Sequence, residues 1–96
     1  VKGELRLDDG AVAALQGGKS LLPVGVVDVV GRFERGDAVT LAAADGRELG
    51  RGLTAYPSDE ACAIKGCRSA QIEDILGYRG RDVMVHRDDM VLFERQ

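Results

Sequence analysis

The chain has 96 residues, of which 45% are hydrophobic and 30% are charged, and its formal net charge at pH 7 is −3. A chain of this length supports one domain, because two domains would each bury too little surface for independent stability. Its apolar content argues against disorder, and its acidic balance disfavours tight, sequence-independent binding to nucleic acid. The longest apolar stretch, residues 21–30, is far shorter than the roughly 20 residues that span a bilayer, so no membrane segment is expected.

Two features of the covalent chain bear on its origin and compartment. The first residue is Val1 rather than methionine, and no basic start with an apolar run follows it, so we expect an excised or processed fragment. The two cysteines, Cys62 and Cys67, are too few for the disulfide framework of a small secreted domain. We therefore expect a cytoplasmic protein in which both residues are buried, inert thiols.

The first third of the chain predicts a strand, a short helix and a second strand. Residues 4–7 alternate polar and apolar side chains, which is typical of a strand. Asp8 can cap a helix of about two turns, and Gly17-Gly18 can end that helix. β-branched residues dominate from Val24 to Val30, which predicts the second strand.

The middle of the chain predicts a hairpin. Residues 38–44 and 48–56 each resemble a strand, and Asp45-Gly46 lies between them. Asp-Gly is the favoured pair for a two-residue primed turn, in which both central residues have positive φ.

The last third predicts two helices, over 57–66 and 69–77, and then a closing hairpin of residues 83–86 with 90–93. The element order is therefore strand, helix, three strands, two helices and two strands. Because strands outnumber helices and the connections are short, we expect a mixed β-rich (α+β) fold, a small barrel with peripheral short helices, rather than a parallel α/β sheet.

Gly17-Gly18-Lys19-Ser20 resembles part of a phosphate-binding loop, in which glycine amides, a lysine and a hydroxyl hold phosphates and Mg²⁺. The first glycine of that motif would fall at Ala13, and Pro23 prevents the helix that should begin at the lysine. We interpret the segment as a helix stop followed by a loop.

His86 is the only histidine, and Asp88 and Asp89 follow it closely, but no nucleophile is tied to it. We predict a structural role near the closing turn. Two cysteines five apart and paired acids at turns make poor metal sites. We assign no catalytic, cofactor-binding or metal-binding residue to this chain.

Four basic residues gather around Tyr78 in the last third of the chain; they are Lys65, Arg68, Arg79 and Arg81. Cations interleaved with an aromatic ring can serve RNA binding. Because Glu73 and Asp74 dilute this charge, a solvated helix face is favoured over a nucleic-acid patch.

Several runs of sequence together point to a known family. Residues 18–26 read GKSLLPVGV and residues 33–37 read FERGD, and later come IKG at 64–66, ILGY at 75–78 and HRD at 86–88. These runs resemble the PUA domain (pseudouridine synthase and archaeosine transglycosylase domain), and more narrowly the PUA domain that ends bacterial glutamate 5-kinases. The resemblance covers nearly the whole chain.

The resemblance implies that residues 1–96 are a single PUA domain with a small pseudo-barrel fold, and that an amino-acid-kinase domain precedes it in the intact enzyme. In that family ATP and Mg²⁺ serve the kinase domain, so no cofactor is implied for this chain. The PUA module is implied to modulate oligomer assembly and feedback inhibition by proline, with the kinase domain in cis and a homo-oligomer as partners.

RNA-modifying relatives use the same fold to bind RNA through the glycine-rich loop and the adjoining helix, which leaves an RNA-binding module as the alternative. The net charge favours the first function. In either case the candidate interaction surface is the loop, whose residues are Lys19, Ser20, Leu21, Leu22, Pro23, Gly25 and Val26.

Overall fold

A computed structural model describes residues 1–93 of the chain. Its five strands are β1 (Gly3–Leu7), β2 (Val26–Gly31), β3 (Ala38–Ala43), β4 (Glu48–Leu53) and β5 (Met90–Leu92). The α-helices of this part of the chain are α1 (Asp9–Gln16), α2 (Ser58–Ile64) and α3 (Ile72–Leu76). Short 3₁₀ turns cover Pro23–Gly25, Ser69–Gln71 and Arg87–Asp89.

The strands form one mixed sheet in the order β2-β1-β3-β4-β5. The pair β1 and β3 is parallel, and the other neighbouring pairs are antiparallel. A parallel pair requires a long connection between its strands. Here α1, the following loop and β2 provide that connection. The mixed β-rich fold with short peripheral helices is confirmed.

The core lies against one face of this sheet. Leu5 and Leu7 of β1 pair with Leu41 and Ala43 of β3, and all four side chains are buried. Their period of two places the alternate residues on the opposite face. The core also takes in apolar side chains from both of the longer helices, namely Val12 and Leu15 of α1 and Ala61 and Ile64 of α2. The inward side chains of the strands and the buried faces of the helices therefore pack into one core.

The structure corrects the predicted turn at Asp45-Gly46. A hairpin forms there, but Gly46 has positive φ (92°) and Asp45 does not. The Gly46 N–H donates to the Ala43 carbonyl at 2.9 Å, and the Ala43 N–H donates to the Arg47 carbonyl at 2.8 Å. This is a three-residue loop that ends in a left-handed glycine. A three-residue loop needs positive φ only at its last residue, and glycine adopts this left-handed conformation without strain.

The predicted closing hairpin is wrong. Val85 forms an isolated bridge with Leu21, far away in sequence, while β5 pairs with β4. The 3₁₀ turn Arg87–Asp89 redirects the chain between these two partners. The two strand-like runs are adjacent in sequence, but each bonds to a different part of the chain. Their local sequence pattern is the same as that of a hairpin, so it cannot show this difference.

Two smaller expectations also change. The 3₁₀ turn at Pro23–Gly25 delays the start of β2 to Val26. β4 ends at Leu53 rather than at Tyr56. The reason is that the Thr54 hydroxyl donates to the Tyr56 carbonyl at 2.7 Å and curls the chain locally.

The thiols are not buried as predicted. Cys62 is exposed and Cys67 is partly exposed. Ala61 and Ile64 occupy the buried face of α2, and Cys62 lies about 100° around the helix from its neighbour Ala61. The expectation of two buried cysteines is therefore wrong.

Candidate functional site

The loop after α1 folds back along the helix and encloses a cleft with a volume of about 440 Å³. Its walls are mainly apolar and come from Ala11 and Ala14 of α1 and from the loop residues Lys19, Leu21, Leu22 and Val24. We call this the α1 cleft.

Backbone hydrogen bonds hold the loop against the helix at both ends of the cleft. Gly18 has positive φ (83°) and reverses the chain, after which the Lys19 N–H donates to the Ala14 carbonyl at 3.0 Å. At the other end, the Asp8 N–H donates to the Gly25 carbonyl at 3.0 Å. The loop is therefore a fixed wall of the cleft, formed by local geometry at two glycines.

Gly25 is required for this close approach. A Cβ atom at position 25 would lie 2.5 Å from the Cβ of Ala11, which is closer than real side chains approach. Asp8 supports the same corner, because its carboxylate accepts a hydrogen bond of 2.7 Å from the Ala11 N–H and caps α1 as the sequence predicts. Small residues and a helix cap together bring loop and helix into contact.

The predicted loop residues divide into two groups. Leu21 is 1% exposed and joins the core, while Leu22 is 44% exposed beside it. Pro23 and Val26 are buried away from the cleft. The cleft brings together Lys19, Ser20, Leu21, Leu22 and Gly25, five of the seven predicted residues.

Five contributors to the cleft were absent from the predicted surface. They are Asp8, Gly10, Ala11 and Ala14 at and along α1, and Val24 of the loop, which is 47% exposed. A signal was present in the sequence, since two small residues three apart lie on one helix face. Without knowing that the loop returns to that face, this spacing has no functional meaning.

The α1 cleft has few polar groups. Its hydroxyl group belongs to Ser20, whose Oγ accepts a hydrogen bond of 2.9 Å from the Arg87 N–H. Ser20 therefore braces the loop against the 3₁₀ turn Arg87–Asp89. Lys19 contributes one positive charge and Asp8 one negative charge to the lining. Such a cleft suits an apolar side chain or a flat ring, with Lys19 available to an anion.

The two tyrosines of the chain, Tyr56 and Tyr78, are structural ties. The Tyr78 hydroxyl donates to a carboxylate oxygen of Glu60, and this hydrogen bond, with help from partial burial and the charge of Glu60, raises the pKa of Tyr78 to about 12. The Tyr56 hydroxyl donates to the Arg81 carbonyl at 2.5 Å, and burial raises the pKa of Tyr56. Both bonds fasten the segment after α3 to the domain. The hydroxyl of Tyr78 is thus engaged within the fold.

His86 is half-buried at the start of the 3₁₀ turn Arg87–Asp89. Its Nδ1 accepts a hydrogen bond of 3.1 Å from the Asp88 N–H and so caps the turn. This geometry is that of a local structural brace and agrees with the role predicted for the residue.

In residues 1–93, no three side chains of His, Cys, Asp or Glu converge in a way that could hold a metal ion. Within the same range, no helix combines the length and the apolar character that crossing a membrane requires.

Known proteins share most of the sequence that forms this domain and its cleft. The family model for the PUA domain matches residues 3–76, which include both walls of the α1 cleft. The chain is 60% identical over 91 residues to the glutamate 5-kinase of Dinoroseobacter shibae, a match that covers 95% of this chain and 25% of that protein. It is 59% identical over 90 residues to the glutamate 5-kinase of Rhizobium etli, covering 94% of this chain and 23% of the relative. The chain thus spans about a quarter of the length of these curated relatives.

Solved structures share the fold. A PUA domain from Aeropyrum pernix, crystallised as a tartrate complex, superposes with a TM-score of 0.64 at 29% identity, covering 88% of this chain and 42% of that one. An H/ACA ribonucleoprotein bound to a substrate RNA superposes with a TM-score of 0.61 at 23% identity, covering 91% of this chain and 25% of that one. The second likeness shows the fold alone.

Proposed function

The chain belongs to the PUA-domain family, as its sequence predicts, and from that premise we propose that it is the non-catalytic module of a glutamate 5-kinase. The intact enzyme would transfer the γ-phosphate of ATP to the side-chain carboxyl of glutamate, the first step of proline biosynthesis, in the cytoplasm. The observation that carries the proposal is the 60% identity to such a kinase over 95% of this chain.

The residues that line the α1 cleft support a non-catalytic role. Its single hydroxyl accepts a hydrogen bond from a backbone N–H, and its single carboxylate, that of Asp8, caps α1, so the two do not form a nucleophile and its base. ATP and Mg²⁺ would therefore bind to the kinase part, which lies outside residues 1–96. The module would act by contact, and we propose that it modulates oligomer assembly and inhibition by proline.

The α1 cleft is the surface that we propose for this modulation. Leu22 and Val24 stand exposed at its rim although the loop beneath them is fixed by hydrogen bonds. Apolar side chains held outward on a rigid support favour contact with a second surface. A neighbouring subunit of the homo-oligomer would supply that surface.

The proposal is tested in the longer polypeptide with Leu22→Asp, because Leu22 can change without disturbing the core. The variant is expected to change the molecular mass in solution, or to shift the proline concentration for half-inhibition by about threefold or more. Ile75→Asp is the matched control, since Ile75 is an exposed apolar residue on α3. If both variants match the unmodified enzyme in mass and in proline response, the α1 cleft has no such role.

RNA binding is the second candidate, and the observation that favours it is Lys19 at the rim of an apolar cleft that could stack a base. The net charge of −3 and the single cation in the lining oppose it. We expect weak or absent binding when the 96-residue chain is titrated with tRNA at two salt concentrations, and little change in Lys19→Ala. Submicromolar, strongly salt-dependent affinity that Lys19→Ala abolishes would make RNA binding the primary function.

A further inference from the structure

A second apolar surface lies on the outward face of the sheet, at the end where β4 and β5 pair. Leu53 is 47% exposed, Val91 is 72% exposed and Phe93 is 44% exposed. With Ala38 and Arg51 they line a shallow depression of about 420 Å³. We call these five residues the β4–β5 patch.

The strand pattern explains which side chains face outward here. Gly50 and Gly52 occupy the inward positions of β4, where a Cβ atom would collide with the β5 backbone at position 50 and with the Val85 side chain at position 52. Arg51 lies between these glycines and faces outward, directly opposite Val91 in the register. Its guanidinium carbon is 5.9 Å from the ring centroid of Phe93, within the range of a cation–π contact.

An outward sheet face that meets water normally carries polar side chains. Farther along this face, Glu4 and Arg6 of β1 follow that rule and form an ion pair of 2.7 Å. At the β4–β5 patch the rule fails, since three large apolar side chains face outward together. Within the described residues, the patch has no covering helix or loop, which is typical of a surface that meets a partner.

The two ends of the described chain both lie at this patch. The Lys2 N–H donates to the carbonyl of Ala38, a patch residue, at 2.9 Å. Phe93, the last described residue, is itself part of the patch. A polypeptide that continues from either end therefore starts beside this surface. The curated relatives are about four times as long as the segment they share with this chain.

We infer that the β4–β5 patch is the surface on which the remainder of the same polypeptide, the kinase part, docks; this inference rests on the proposed function. A tether that begins at the patch gives the attached domain a high effective concentration there, so a modest apolar area is enough for stable contact. Arg51 and Asp89 border the apolar side chains and provide the polar rim that such interfaces carry. Nucleic acid does not suit a surface whose centre is Leu53 and Val91.

The inference is tested by the accessibility of single cysteines to a maleimide, in a background of Cys62→Ser and Cys67→Ser. Val91→Cys is expected to react about tenfold or more slowly in the longer polypeptide than in the 96-residue chain, because docking excludes the reagent. Leu53→Cys is a second reporter on β4 and is expected to be protected in the same way. Ile75→Cys on α3 is the control and should react equally fast in both proteins.

Equal rates for Val91→Cys and Leu53→Cys in the two proteins overturn the inference. They leave the proposed function standing, since that function is judged by the proline response. Protection that appears in the 96-residue chain alone and grows with its concentration identifies a second copy as the occupant, and it also overturns the inference. Protection of Leu22→Cys instead of Val91→Cys would move the docking surface to the α1 cleft.

Discussion

The α1 cleft and the β4–β5 patch are both apolar surfaces, but different forces shape them. The cleft is concave, and its loop wall is fixed by backbone hydrogen bonds and by the contact of Gly25 with α1. The patch is shallow, and its outward side chains follow from strand alternation alone. The cleft is thus suited to one inserted group, whereas the patch is suited to a broad contact.

The two surfaces lie at opposite ends of β1. Lys2, at the start of this strand, bonds to the patch residue Ala38, and Asp8, just after its end, lines the cleft. A five-residue strand spans roughly 16 Å. Docking through the patch, as we propose, would therefore leave the cleft free for a neighbouring subunit.

The largest expected effect separates the two adjacent leucines of the loop. Leu21→Asp places a charge in the core and is expected to lower the free energy of unfolding of the 96-residue chain by about 4 kcal/mol. Leu22→Asp is expected to cost less than about 1 kcal/mol, because the side chain is exposed. Urea unfolding of both variants checks this. Similar losses in the two would contradict the assignment of Leu22 to the surface.

Gly25→Ala tests whether the cleft depends on close approach. The added methyl group would collide with Ala11, so a loss of about 2 kcal/mol in the free energy of unfolding is expected. Gly10→Ala on α1 is the matched control, because the nearest heavy atom to the added methyl group would lie at 3.5 Å, and it should change stability by less than about 1 kcal/mol. Equal stability of the two variants, measured by urea unfolding, would show that the loop yields freely.

Tyr78→Phe concerns a region that belongs to neither surface. Loss of the hydrogen bond to Glu60 is expected to cost about 0.5 kcal/mol, since the pair is exposed. The pKa of Tyr78 is raised from 10.0 to about 12, so the protonated hydroxyl stabilises the fold fully below pH 10. That stabilisation is lost as the pH rises from 10 to 12.

The measurement for Tyr78→Phe is urea unfolding of both proteins between pH 8 and pH 12. The difference in stability between the unmodified chain and the variant should shrink over the upper part of this range. A difference that stays constant to pH 12 would show that the Glu60 bond does not govern the titration of Tyr78.

Val91→Asp should have the smallest effect on the fold. Because Val91 is mostly exposed on an edge strand, the free energy of unfolding of the 96-residue chain should change by no more than about 0.5 kcal/mol. In contrast to Gly25→Ala, this variant should leave thermal unfolding nearly unchanged. A large destabilisation would mean that the patch contributes to the fold itself.

Features governed by neighbouring residues were predicted well from the sequence. Asp8 caps α1, Gly77 ends α3 in a left-handed conformation with φ 80°, and residues 4–7 form a strand. Each of these depends on interactions within a few residues, which side-chain type and spacing reveal directly.

Features governed by distant pairing could not be predicted in the same way. Val85 bonds to Leu21 and β5 bonds to β4, although residues 83–86 and 90–93 have the local pattern of a hairpin. The difference between Leu21 and Leu22 has the same origin, because an irregular loop has no period that shows which leucine is buried. The β4–β5 patch was missed since its members come from three separate strands and from Phe93, which follows β5.

A regulatory role for this chain is tested by the response to proline of the longer polypeptide with and without residues 1–96. We predict that removal of this module leaves glutamate-dependent ADP formation in the absence of proline within about threefold of the intact enzyme, and that the proline concentration for half-inhibition shifts by a larger factor. Loss of all turnover in a correctly folded truncated enzyme would place catalytic groups in this chain. Turnover and proline response that both stay unchanged would show that the module does not regulate the kinase.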